Sequence, residues 1–166
     1  MLDGGKEVFL RPILPKDSFM LLDLFQKLSS ESLYLRFLRP IASLPEDLLF
    51  RLTHIDYNES FALVAVIMEG GRESIIAVAR YSYDPATYIA DAAVVVRDDW
   101  QRLGLGKSLL SKIYDIGREN GICRFVSVIA PTNRVIKQIL KKLGYKVKYS
   151  YPSGATQVEV MVQKIQ

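Results

Sequence analysis

Hydrophobic residues in the first third of the chain recur mostly at helical spacing. Residues 8–13 form a short apolar run that predicts a strand, and Asp17 stands where a helix cap is expected. The first helix is predicted from four apolar residues at that spacing: Leu21, Leu24, Phe25 and Leu28. A weaker helix should end at Phe37. Residues 43–46 combine a capping box with a proline in the first turn, which predicts a third helix that runs to about His54.

The hydrophobic pattern changes from helical to strand-like at residue 61. Residues 61–68 and 74–83 are rich in β-branched and aromatic side chains, and the glycine-containing segment 69–72 between them predicts a hairpin. A third strand is predicted over residues 88–97. It is apolar on both faces and densest in valine at residues 94–96, which is typical of a strand in the centre of a sheet.

The remaining third of the chain alternates helices and strands. Helical spacing predicts a helix over residues 104–119, and residues 124–129 predict a strand. A second helix is predicted over residues 133–142, with four residues facing inward: Val135, Ile136, Ile139 and Leu143. Residues 145–149 and 156–162 should form a final pair of strands. This order predicts an α+β fold with a mixed sheet.

The composition is that of a folded protein. With 166 residues, 49% of them hydrophobic, the chain is long enough for one domain, and we expect residues 1–166 to form it. Its longest uncharged apolar run, residues 61–68, is far shorter than the roughly 20 residues that a membrane-spanning helix needs. Residues 1–7 lack the basic start and apolar stretch of a secretion signal, so the cytoplasm is the expected location.

The few metal-binding side chains exclude several kinds of site. The chain has one cysteine, Cys123, and one histidine, His54, so neither an internal disulfide nor a structural zinc site is expected. Burial is the default for Cys123, and we assign it no chemistry. Because His54 stands at a predicted helix end, interaction with the helix dipole is its expected role, with a role as a base as the alternative.

Positive charge is concentrated near the C-terminus. The chain carries a net charge of +4, but from residue 131 onward seven Lys/Arg stand against Glu159 alone. This asymmetry suggests a polyanionic partner, either a nucleic acid or a phosphate-bearing cofactor. Nucleic acid is the weaker alternative, because the aromatic residues of this part lack the context of a known binding motif. These are Tyr145, Tyr149 and Tyr151.

The segment from Val94 to Lys107 carries the strongest functional signal. It predicts a central strand that runs through a glycine-bearing loop into a helix, and a helix N-terminus offers unpaired backbone N–H groups to a phosphate. Arg102 and Lys107 could add charged contacts. The alternative is that Gly104 and Gly106 only permit a tight turn.

Two other nucleotide-binding motifs do not fit this loop. A Walker loop that ends in the Gly-Lys-Ser of residues 106–108 would need a glycine at position 101, which is glutamine. A dinucleotide fingerprint would need a third glycine at position 109, which is leucine.

The same loop resembles a known family. Residues 101–106, Gln-Arg-Leu-Gly-Leu-Gly, match the pyrophosphate-binding loop Q/R-x-x-G-x-G/A of the GNAT superfamily of acyl-CoA-dependent N-acyltransferases. Three further segments resemble the acetyltransferase domain of bacterial Pat-type protein lysine acetyltransferases: residues 29–37, 52–57 and 93–101. The resemblance implies a mostly antiparallel sheet flanked by helices, with a splayed central strand. It also implies an N-acetyltransferase that uses acetyl-CoA and no metal.

The resemblance assigns roles along the central strand and the loop. The acyl-pantetheine arm would lie beside the strand, and the loop, its charged residues and Asn133 would bind the phosphates. The implied cofactor-binding residues are Val94, Val95, Val96, Gln101, Arg102, Leu103, Gly104, Leu105, Gly106, Lys107 and Asn133. A lysine amine has a pKa near 10.4, so its attack requires a base. The Pat-type pattern has a glutamate where this chain has Asp91; the shorter aspartate would act as general base through water.

Two questions about the chemistry stay open at this point. Many members of the superfamily have a tyrosine in the last helix to protonate the departing thiolate, but the matching residue here is Leu140, so no general acid is named. The expected acceptor is a primary amine, a protein lysine side chain above all. A small amine or amino acid is one alternative, and a non-catalytic acyl-CoA sensor is another.

Overall fold

The computed structural model describes residues 7–39 and 43–162. Five α-helices occur in this part of the chain: α1 (Ser18–Gln26), α2 (Ser30–Phe37), α3 (Glu46–Thr53), α4 (Leu105–Glu119) and α5 (Arg134–Leu143). Seven strands accompany them: β1 (Phe9–Pro12), β2 (Ser60–Glu69), β3 (Arg72–Asp84), β4 (Ile89–Val96), β5 (Arg124–Ile129), β6 (Lys146–Ser150) and β7 (Thr156–Met161). Residues 1–6, which bear on the expected absence of a signal, and Lys164 of the basic part lie outside the described residues.

The strands form one mixed sheet in the order β1-β2-β3-β4-β5-β7-β6. All neighbours are antiparallel except β4 and β5, which are parallel. The predicted hairpin is confirmed: β2 and β3 turn at Gly70 (φ 57°) and Gly71 (φ 80°), a left-handed conformation that glycine adopts without strain. The α+β class is likewise confirmed.

Strand β4 is central, as its apolar faces predict, and it separates from β5 along most of its length. It pairs with β3 through all eight residues, from Ile89 to Val96. With β5 it forms a single register pair, Ala90 with Phe125. The splay implied by the family resemblance is therefore present in the structure.

Each face of the sheet is covered by its own hydrophobic cluster. Helix α4 contributes Leu105, Leu109 and Ile113 to the cluster on one face, where Phe125 of β5 is also buried. On the other face α1 packs with Leu21 and Leu24 on the strands, together with Val78 and Val95. Apolar side chains are thus removed from water on both faces of the sheet, and this burial is the main source of stability for such a layered fold.

Three local predictions are wrong in whole or in part. Asp17 is the N-cap residue of α1, as predicted, but its side chain does not cap that helix. The carboxylate is fully buried, accepts two hydrogen bonds of 2.7 and 2.8 Å from Arg11 and accepts the Leu14 N–H, because an unpaired buried carboxylate would be costly. Helix α3 has Pro45 as its N-cap residue, without a side-chain cap, instead of the predicted capping box. Val135 is 61% exposed, and Leu140 takes the inward position of α5.

Two features are absent from residues 7–39 and 43–162. None of the helices there is long and apolar enough to cross a membrane. No group of three or more His, Cys, Asp or Glu side chains is arranged to hold a metal ion in that part of the chain.

Candidate functional site

The open edge of β4 is the core of the candidate site. Both the N–H and the C=O of Ala92 point toward β5, where each lies within hydrogen-bond distance of the Ser127 hydroxyl, whereas the Arg97 N–H points toward β3 and binds Ile76 O. Because these directions alternate along an antiparallel strand, the N–H groups of Val94 and Val96 also face β5. No register pair with β5 reaches either residue in the described sheet. The splay therefore offers a row of backbone donors.

Ser127 bridges β4 and β5 at the point where they diverge. Its hydroxyl lies 2.6 Å from Asp91 Oδ1 and 3.0 Å from Ala92 O, and it accepts the Ala92 N–H at 3.2 Å. A hydroxyl has one proton, so it donates to one of the two oxygens at a time. Asp91 itself is exposed, which allows its carboxylate to meet a ligand and water.

The glycine loop leads from β4 directly into α4. Arg102 (φ 65°) and Gly104 (φ 84°) are both left-handed, and Gly104 is the N-cap residue of α4. The first i to i−4 bond of the helix is donated by Ser108 N to Gly104 O. The preceding N–H groups, from Leu105 to Lys107, have no partner within the helix, so this end of α4 can bind an anion through its backbone.

Gly106 also has a packing role. A Cβ built on it would lie 3.4 Å from Ile139 Cδ1 and 3.6 Å from Val96 Cγ2, a close but possible fit. A valine there would press further on both neighbours, so its effect on ligand binding would be mixed with an effect on packing. The close packing at Gly106 agrees with the tight-turn alternative, and phosphate binding by the loop stays a prediction.

The side chains expected at the cofactor divide into three groups. Gln101 donates to Val96 O at 2.9 Å and to Ser32 Oγ at 3.2 Å, and Asn133 caps α5 by accepting the Ile136 N–H. Leu105 is buried in the core, so only its backbone is available. Arg102 and Lys107 are exposed on the outside of the loop. The structure brings the loop and β4 together and gives Gln101 and Asn133 internal partners.

Two acidic residues and a buried arginine hold the loop in place. The Arg97 guanidinium makes two hydrogen bonds of 2.9 Å to Glu69 and two of 2.7 and 3.0 Å to Asp99. Through the hydrogen bond to Arg97, above all, the pKa of Glu69 is lowered to about 2. Asp98 accepts the N–H of Ser29, the N-cap residue of α2, at 3.1 Å. The loop is thus attached to β2 and to α2.

Two arginines lie near Asp91, a feature that the sequence analysis missed. Burial lowers the pKa of Arg36 of α2, and the negative charge of Asp91 raises it and so offsets part of that lowering. Arg80 of β3 donates through Nη1 to Leu52 O at 3.1 Å. Burial, and then the charge of Arg36, lower the pKa of Arg80 to about 9, so it remains a cation at neutral pH. An arginine inside the apolar run 75–81 was the signal available in the sequence.

The remaining candidate residues have structural surroundings. His54 is the C-cap residue of α3, is exposed, and stacks on Phe50 with ring centroids 3.7 Å apart, which fits the expected role at a helix end. Leu140, at the position of the superfamily's tyrosine acid, is buried at 2% exposure. Cys123 is half-buried instead of buried.

The family profile described as "Acetyltransferase (GNAT) family" matches residues 24–145, which include β4, the glycine loop and α4. The chain belongs to the acetyltransferase (GNAT) family. This GNAT chain is 32% identical to an acetyltransferase of Pseudomonas aeruginosa over 95% of its own length and 84% of the relative. It is 33% identical to acetyltransferase Pat of Mycolicibacterium smegmatis over 84% of its length, and it spans only 41% of that longer protein.

Solved structures confirm the GNAT fold. The GNAT domain of S. lividans PAT superposes with a TM-score of 0.86 at 30% identity, with 97% of this chain and 94% of that domain covered. A Salmonella typhimurium acetyltransferase structure with its cofactor acetyl-CoA has a TM-score of 0.72 at 18% identity, covering 97% of each chain, which shows a shared fold.

Proposed function

We propose that this GNAT chain is a single acyl-CoA-dependent domain that transfers an acetyl group from acetyl-CoA to a primary amine, a protein lysine side chain above all. One observation carries the proposal: the unpaired edge of β4 runs directly into the free N–H groups at the start of α4. A ligand with an amide-containing arm and a pyrophosphate fits this sequence of donors, because the arm can add to the strand edge and the phosphates to the helix end. Arg102 and Lys107 add positive charge to the phosphate end.

Asp91 is the proposed general base. The acceptor amine must lose a proton before or as its nitrogen attacks the thioester carbonyl, and a bridging water carries that proton to the Asp91 carboxylate. The C–N bond forms and the C–S bond breaks, the attacking nitrogen releases its second proton to water, and the departing thiolate takes a proton from water, since Leu140 has none to give. Ser127 keeps the carboxylate at the opening of the splay and acts as a positioning residue.

Support for a lysine acceptor comes from the Pat-type resemblance of residues 29–37, 52–57 and 93–101. The longer Pat relative contains sequence beyond the part that this chain spans, so its substrates do not transfer automatically. A small amine or an amino acid is the alternative acceptor, and both alternatives use the same base and the same donor. A sensor that binds acyl-CoA without turnover is the third reading.

Calorimetry followed by a turnover assay tests the proposal. We expect acetyl-CoA to bind the wild type and thiol release to begin when a panel of lysine-containing peptides is added. Peptide-independent turnover of free amines instead would identify the small-amine alternative. If acetyl-CoA binds but neither peptides nor free amines release thiol, the catalytic proposal fails and the sensor reading replaces it.

A further inference from the structure

Arg36 and Arg80 form a pair of cations that lacks a matching carboxylate. Among the described residues, no hydrogen bond or ion pair engages the Arg36 guanidinium, whose neighbour is the Phe37 ring at 5.0 Å. Arg80 uses Nη1 for Leu52 O, and its Nη2 is shielded from solvent without a partner. Charges held away from water in proteins are normally paired, because burying an unpaired charge is costly.

The pair lies on the same face of the sheet as the proposed base. In the β3–β4 register, Arg80 is opposite Ala93 and Ser82 is opposite Asp91. Arg80 and Asp91 are therefore diagonal neighbours on one face, since residues two apart share a face. Arg36 comes to this place from α2, which packs against β4, and its charge acts on both groups. The two cations thus border the position of the attacking amine.

The phosphates of the donor are too far away to be the missing anion. Asp91 and Val96 are five residues apart on β4, roughly 17 Å along an extended strand, and the glycine loop comes after Val96. The pair also lies on the face covered by α1 to α3, whereas α4 packs on the opposite face. The anion must therefore be supplied by a different molecule, or by a different part of the acceptor.

We infer that Arg36 and Arg80 form an anion subsite that binds a carboxylate of the acceptor, close to the amine that is acetylated. The charges of the two guanidinium groups and the Asp91 carboxylate sum to +1, and one further carboxylate neutralises this charge. The planar donor fork of arginine matches a carboxylate in two parallel hydrogen bonds. Both arginines are half-buried, so each side chain keeps a solvent-facing part from which a carboxylate can approach, although Arg80 Nη2 itself is covered. The inference rests on the proposed function and specifies its acceptor.

Two sources could provide this carboxylate: an acidic residue beside an acceptor lysine in a protein, or the carboxylate of a free amino acid. Paired acceptors separate them. One arm compares lysine peptides that carry Glu or Gln at each nearby position; the other compares free amino acids with their amides. We expect one arm to show a preference for the carboxylate form of about tenfold or more in kcat/KM, which corresponds to about 1.4 kcal/mol.

The variant Arg36→Gln tests the origin of that preference. It breaks no hydrogen bond of the described structure. The ratio of kcat/KM between the carboxylate form and the neutral form should fall to nearly one, through a rise in KM for the carboxylate form only. Arg51→Gln is the matched control, because Arg51 is 70% exposed and pairs with Asp47 at the surface. A wild type without preference in either arm, or a preference unchanged in Arg36→Gln, would overturn the inference.

A binding measurement keeps the inference separate from the proposed activity. Acetate is titrated against sodium chloride at matched ionic strength, and the side-chain Nε–H resonances of Arg36 and Arg80 are followed by NMR. We expect saturable shifts with acetate in the wild type and none for Arg80 in Arg36→Gln. If no acceptor is turned over but these shifts occur, the activity proposal fails and the subsite stands; unchanged resonances would remove the subsite.

Discussion

The Ser127 hydroxyl on β5 lies 2.6 Å from the Asp91 carboxylate on β4, beside Ala90 and Phe125, which form the single register pair of the two strands in the described sheet. This contact fixes a charged group at the opening of the splay, beside the row of unpaired β4 N–H groups. A carboxylate and a backbone donor row at one position are what an attack on a thioester by an amine requires.

Asp91→Asn should lower turnover by roughly 10²–10⁴-fold without changing acetyl-CoA affinity, because the side chain keeps its shape and loses its ability to accept a proton. Asp91→Glu should retain activity or raise it, since it restores the carboxylate of the Pat-type pattern. Thiol release and calorimetry measure the two effects separately. Asp23→Asn is the control, because Asp23 only forms a half-exposed pair with Lys27 on α1. Normal turnover by folded Asp91→Asn would mean that Asp91 is not the base.

Ser127→Ala should reduce kcat by roughly 2- to 10-fold, in line with the loss of one hydrogen bond worth about 1 kcal/mol. The effect should arise through Asp91. In the Asp91→Asn background the same change should therefore have little further effect, which a double-mutant cycle measures. Additive losses in the two single variants would show that Ser127 acts on the acetyl donor or on the sheet, independently of Asp91.

Gly104→Ala should weaken acetyl-CoA binding by about tenfold, because a Cβ in a left-handed conformation costs about 1–2 kcal/mol and distorts the donor end of α4. Gly121→Ala provides a matched control. Gly121 has the same φ of 84° as Gly104 and an open position for a Cβ, and it follows the other end of α4. Both variants should lose similar stability, and only Gly104→Ala should lose affinity. If calorimetry gave the same acetyl-CoA affinity for Gly104→Ala and Gly121→Ala, the loop would not be part of the acetyl-CoA site.

The Glu69–Arg97 contact should make stability depend on acidic pH. In the folded protein the pKa of Glu69 is about 2, below the ordinary value of 4.5. The contact therefore stabilises the fold fully above pH 4.5, and this contribution is lost as the pH falls toward 2. Urea unfolding of the wild type and Glu69→Gln between about pH 7 and pH 2 measures it. The two stability curves should converge at the acidic end. A constant separation would show that the carboxylate charge of Glu69 does not contribute.

Local patterns in the sequence predict most of the fold. The turn at residues 69–72 and the apolar β4 follow from adjacent residues, and the structure has the hairpin and the central strand that they imply. Errors occur where a distant partner decides the outcome. Asp17 has the sequence context of a helix cap, but Arg11 and the Leu14 N–H hold its carboxylate elsewhere.

The candidate site shows the same division. The glycine loop can be predicted from the sequence because its strand, loop and helix are consecutive in the chain. Ser127 and Arg36 are 36 and 55 residues away from Asp91, and each reaches it only because of how β5 and α2 pack. A serine within the apolar strand β5 gives a weak hint of a special position, since a polar side chain there needs a partner.

The hydrogen bonds between the glycine loop and α2 couple the loop to the helix that carries Arg36. Asp98 and Gln101 bind Ser29 and Ser32 at the start of the helix that carries Arg36 near its end. The loop and α2 therefore do not move independently, because a displacement of the loop strains these two hydrogen bonds and, through them, the helix that carries Arg36. A substitution in the loop can in this way alter the opposite end of α2 without touching it.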